Sequence, residues 1–257
     1  MNSALYWGRT IVCLVSVVYF NLVMANVVSL RQHWYVQTYR NGTEMEPLYD
    51  TMFMDWVGYT GVSIPTRLTL RDMVDVCTWS WVLLTVILWG ACSMRPVLAA
   101  RALSAQILFI PMFTLAQLLT IVPDATPNCL SLFNIPKDDN IGWVFWRYPR
   151  RSCGNMLWSS DIAQLVVFTS IAYDMVPRYR YKLQLIVWTV GQIWILATMC
   201  VVFSAKYQYS TDVISTVIVV KLAMSHPTLD KFGRYFFVRG GEYFDRVPQN
   251  TMVPVTI

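Results

Sequence analysis

Histidine is scarce in this chain, with only His33 and His226 among 257 residues. Neither sits in a motif, so imidazole chemistry has little to draw on and each reads as a surface residue. Charge is scarce too, at 14% against 56% hydrophobic residues. That balance makes a bilayer protein the first hypothesis. The six cysteines (Cys13, Cys77, Cys92, Cys129, Cys153 and Cys200) have no metal-ligand spacing. Four of them lie in apolar runs and read as small apolar residues. Cys129 and Cys153 share one loop and can pair in an oxidising compartment, although sequence does not set their separation. No internal repeat, Gly/Ser linker or low-complexity block is visible, and no cofactor is implied.

What the chain does have is long apolar runs. A transmembrane helix needs roughly 20 apolar residues, and six stretches qualify: 11–30, 74–94, 102–122, 156–176, 183–204 and 207–225. The expected fold is an all-α membrane protein with six transmembrane helices over residues 1–226. The fourth and sixth runs carry Asp161, Asp174, Asp212 and Lys221 in or near them. Such spans belong where a protein core shelters them, because ionisable groups are costly in lipid.

The net charge of +5 does not require nucleic acid as a partner. In the tail, 227–257, Lys231, Phe232, Arg234, Tyr235, Phe236, Phe237 and Arg239 interleave cations with aromatics. That pattern suits an interfacial segment beside lipid phosphates. The first apolar run is long for a signal-peptide core and has no small-residue cleavage site behind it, so it reads as an uncleaved span. No Arg- and Ser-rich presequence is visible, and any organellar address is expected to be internal. Two short connections are basic, one with Arg95 and Arg101, the other with Arg178, Arg180 and Lys182. They place that side, with both termini, in the cytoplasm or matrix. Loops 31–73, 123–160 and 205–210 are expected opposite. Asn41-Gly42-Thr43 in the first of these is a glycosylation sequon that matters only in a secretory lumen.

Polar residues gather at the mouths of the two sheltered runs. Residues 152–161 read SCGNMLWSSD and residues 206–213 read KYQYSTDV. Just ahead of the first stand Arg147, Arg150 and Arg151, able to hold a phosphate by forked hydrogen bonds or to form an ordinary membrane-surface cluster.

The two stretches resemble the active-site motifs of the sphingomyelin synthase family, relatives of lipid phosphate phosphatases that include inositol phosphorylceramide synthases. The family's first motif is C-G-D-x-x-x-S-G-H-T. Cys153, Gly154 and Ser159 match it, whereas Asn155, Ser160, Asp161 and Ile162 depart from it. The second is H-Y-[ST]-x-D-V. Tyr209, Ser210, Asp212 and Val213 match, and Gln208 stands where the histidine belongs. Glu46–Asp50, Arg101, Thr120–Pro123 and Cys129 fall in family-like order. The resemblance spans roughly 11–226, is densest over 101–226, and includes the six-helix plan.

The resemblance implies a phosphocholine or phosphoinositol transferase in which one histidine attacks phosphorus, oriented by the aspartate four residues on. The other histidine moves the proton. Here both are replaced. Gln208 neither attacks nor titrates. Asp161 can accept a proton or form an acyl phosphate, yet a second carboxylate near Asp212 repels an anionic phosphate, a charge that Lys206 can offset. Losing one of two cooperating groups already removes most of the rate. The expectation is a pseudoenzyme, with Asp161, Gln208 and Asp212 as degenerate catalytic positions. Arg147, Arg150, Arg151, Lys206 and Tyr209 remain as lipid-headgroup contacts. Its partners would be membrane lipids and other membrane-protein subunits, and its role that of an accessory subunit, for example of a mitochondrial inner-membrane respiratory assembly. The alternatives are a divergent lipid phosphotransferase and a lipid sensor of the endomembrane system.

Overall fold

A computed structural model describes residues 3–40, 64–92, 96–119, 142–146, 158–205, 208–229 and 231. Among these the chain is all-helical. In order it forms α1 (Ser3–Arg40), α2 (Ile64–Cys92), α3 (Pro96–Leu119), the one-turn α4 (Trp143–Trp146), α5 (Ser160–Met175), α6 (Tyr181–Ser204) and α7 (Ser210–Ser225). A 3₁₀ turn, Arg178–Arg180, leads into α6.

Three of these helices are long and apolar enough to cross a membrane, over Thr69–Ala91, Leu98–Ala116 and Tyr181–Ser204. Most of each span is left uncovered by protein. In the third, only 22% of the most apolar window is buried. The uncovered face of α6 carries Leu183, Ile186, Val190, Ile193 and Leu196, and that of α2 carries Val76, Leu83 and Ile87. An apolar belt of this extent marks a surface meant for lipid or for another protein.

Several boundaries differ from those read in the sequence. The first run, 11–30, sits inside a 38-residue helix that continues to Arg40. The loop expected at 31–73 is therefore helical over 31–40 and again from 64. His33 lies on that extension and is buried at 9% exposure, not on the surface; His226 is exposed. One buried polar side chain of α1 is bonded across to a neighbouring element. Asn26 donates through Nδ2 to the Val144 carbonyl at 2.8 Å. The fourth and sixth runs contract to 16 residues each, about 24 Å at 1.5 Å per residue. The second and third helices start earlier than 74 and 102. Proline suits a first helical position, where its missing N–H costs nothing, and α3 opens on Pro96. Arg101 consequently lies five residues inside that helix.

α5 is the axis of the bundle. It packs against α2, α3, α6 and α7. Its buried residues, among them Ile162, Val166, Val167, Ile171 and Met175, surround it on every side. A helix that is apolar all round belongs inside. α7 is one-sided. Val213, Thr216, Val220 and Met224 recur at three- and four-residue steps and are buried, while Ile218 and Leu222 face out.

The close fit of α6 on α5 depends on a missing side chain. A Cβ at Gly191 would run into Cγ2 of Thr169, so the two backbones approach as small residues permit in membrane bundles. Where hydrocarbon offers polar groups no other partner, α3 and α5 are joined by an amide pair. Gln106 and Gln164 each donate through Nε2 to the other's Oε1 at 2.7 Å.

Candidate functional site

The start of α5 follows from local chemistry. Ser159 holds extended backbone angles (φ −93°, ψ 105°), and its hydroxyl accepts the Ile162 N–H at 3.3 Å. An N-cap of this kind satisfies one of the orphan donors of the first turn. Asp161 sits in that same turn, where the positive end of the helix dipole favours a carboxylate. Val176-Pro177 ends the helix, since proline cannot continue it.

α7 begins the same way but with backbone alone. The Tyr209 carbonyl accepts the N–H groups of Asp212 at 3.1 Å and Val213 at 3.3 Å. Asp212 is the acidic residue of its first turn. The helix stops at His226, ahead of Pro227.

The two helix starts meet. The Ser159 N–H donates to Oγ1 of Thr216 at 2.9 Å, and that hydroxyl donates onward to the Asp212 carbonyl at 2.6 Å. The Gln208 amide donates through Nε2 to the Trp158 carbonyl at 3.4 Å. The stretches 152–161 and 206–213, which the sequence pairs only by resemblance, are thus joined in space by one direct hydrogen bond, from Gln208 to Trp158, and by a two-bond relay through Thr216.

The junction is buried. Ser159 and Thr216 are fully enclosed, Gln208 is 2% exposed, and Tyr209, Ser210 and Asp212 are each 6% exposed. Gln208 Oε1 has no hydrogen-bond partner among the described residues. Its neighbour Trp158 stacks on Phe113 at 4.8 Å, and Phe113 stacks on Phe109 at 5.6 Å. An aromatic ladder from α3 therefore braces the junction.

Asp161 turns elsewhere. The charged side chains that act on it are Asp75 and Arg71 of α2, and Arg71 is itself buried. Ser159 and Asp161, two positions apart on a helix, face different neighbours. Asp161 thus feels the charges of α2, while Gln208 and Asp212 are buried at the α5–α7 junction. Tyr209 contributes its carbonyl to the helix start and keeps its ring inside. Arg147, Arg150, Arg151 and Lys206 lie outside the described residues, as do Cys129, Cys153, the sequon and residues 232–257.

Sequence reasoning missed four participants: Thr216, Trp158, Arg71 and Asp75. Thr216 had a signal, standing one helical turn after Asp212 and so on the same face. The two α2 residues had none, because nothing local says which helix α5 will meet. Among the described residues no group of three or more His, Cys, Asp or Glu side chains is placed to hold a metal ion.

No family model, curated protein or solved structure matches this chain.

Proposed function

We propose that the chain is a six-helix membrane protein, with α1 and the short α5 and α7 completing the bundle. In this reading the paired stretches hold the fold together instead of transferring a headgroup. The protein is a catalytically silent relative of sphingomyelin synthases and serves as a lipid-contacting accessory subunit of a larger membrane assembly.

One observation carries the reading. At the position of the attacking histidine stands Gln208, enclosed and bonded to the Trp158 carbonyl. A neutral amide in that place can neither form a phosphoenzyme nor relay a proton. The bonds around it link two helices, which is a structural task. The apolar belts of α2 and α6 add support, because a surface of that size is read as one that lipid or a neighbouring subunit covers.

Purification from native membranes in a gentle detergent tests this, with co-purifying proteins and lipids identified by mass spectrometry. Recovery in a stoichiometric assembly is the expected result. A lone protein that moves phosphocholine or phosphoinositol onto ceramide would overturn it in favour of a divergent transferase. A mitochondrial respiratory assembly is the setting we take first. Glycosylation at Asn41 would exclude it and move the protein to the endomembrane system.

A further inference from the structure

At the other end of α5, about 20 Å from Ser159 by helix rise, the bundle opens. α6 and α7 both pack closely on α5 and touch each other little. The gap between them is a cavity of about 630 Å³, a size typical of small-molecule sites. One hydrogen bond crosses it, from Lys221 Nζ on α7 to Gln192 Oε1 on α6 at 2.6 Å.

The lining changes character along its length. Its floor, Val166 and Ile195, is closed over by protein, and its open apolar surface is Leu185 and Trp188; Arg101 and Asp174 stand toward the end of α5, and Lys221 reaches across to mid-α6. Two cations face one carboxylate there. That carboxylate is already engaged, since Arg101 pairs with Asp174 and also donates to the Met224 carbonyl at the end of α7. Lys221 meets only a neutral amide among the described residues. Arg180, on the turn before α6, and Lys182, in the first turn of α6, are both exposed and flank Tyr181, which lines the cavity.

The geometry points to this cavity as a binding site for an anionic phospholipid. The phosphate sits between Lys221 and Arg101, and an acyl chain runs over Leu185 and Trp188 on the α6 side of the gap. A cation near the end of a membrane helix is stabilised by anionic lipid headgroups. That apolar surface is what a free anion would leave unused. It continues onto the outward faces of both helices through Leu185 and Trp188 on one side and Ile218 and Leu222 on the other. The site lies apart from the α5–α7 junction and does not rest on the family resemblance or on catalytic silence.

Native mass spectrometry on the full-length protein in detergent, titrated with phosphatidylglycerol, phosphatidylcholine or inorganic phosphate, tests the assignment. One phosphatidylglycerol is expected to be retained in preference to phosphatidylcholine. Lys221→Ala should weaken that binding roughly fivefold, the factor one lysine near a lipid surface contributes, and Lys221→Arg should keep it. Leu185→Gln removes apolar contact at an exposed lining position without touching charge and should also weaken retention. Equal retention of the two lipids would overturn the proposal. So would phosphatidylglycerol binding unchanged in both the alanine and glutamine variants. Displacement of the lipid by millimolar inorganic phosphate would show a soluble-anion site instead.

Discussion

Thr216 is the acceptor for the Ser159 N–H, at 2.9 Å, in the enclosed junction where α5 and α7 begin. Its hydroxyl bridges two backbones, accepting from Ser159 and donating to Asp212. Thr216→Val keeps the shape and removes both bonds, leaving a buried N–H without its partner. A loss of about 1–2 kcal/mol is expected, read as a lower unfolding midpoint in detergent. Thr216→Ser should retain most of the stability, because the hydroxyl does the bonding. Equal midpoints for valine and threonine would mean the bond contributes nothing.

Gly191→Ala places a methyl against Thr169. Overpacking of this kind costs about 1–3 kcal/mol, again measured as the unfolding midpoint. Thr169→Ala in the same chain removes the obstructing atoms and should restore most of the loss. Failure of that rescue would show that the cost at position 191 arises elsewhere.

Arg101 ties three helices, through Asp174 on α5 and the Met224 carbonyl on α7. The pair is partly exposed, at 18% and 31%, so Arg101→Met should cost about 2 kcal/mol, below the figure for a fully buried pair. Adding Asp174→Asn should recover part of that loss, since the carboxylate no longer stands without its cation. A double variant as unstable as the sum of the singles would place no coupling between them.

The chemistry can be offered back. Asp161→His with Gln208→His returns both imidazoles in sequence, yet headgroup transfer to ceramide is expected to stay at background. Position 161 faces Arg71 and Asp75 of α2, and position 208 is enclosed. Transfer activity in the double variant, absent from each single, would show that a working pocket persists.

Much of this was legible along the chain. The helical, apolar character of α2, α3 and α6 is written in runs that nothing but a helix can satisfy without water. Of the charged residues in the fourth and sixth runs only Asp212 is fully sheltered; Asp161 and Asp174 are half-buried and Lys221 is exposed, although α5 does sit at the centre. The pairing of the two motif stretches was visible through resemblance, and the structure joins them by Thr216 and Gln208. The buried stretch of α1 around His33 was not legible, because its polar residues look like loop until the helix is packed against its neighbours. Gly191 carried a weak signal as a small residue amid large ones, without saying what it approaches.

The sequence by itself determined that the chain is helical and apolar, because hydropathy and helix-end chemistry act within a few residues. It also determined that two polar stretches stand at helix starts. Only the tertiary structure decided that Asp161 turns to α2 while Gln208 and Asp212 turn to the α5–α7 junction. Only the fold set α6 and α7 apart, opening the cavity beside Lys221. Both depend on which helix faces meet, and that is a balance of packing between segments far apart in the chain, not a property of any one of them.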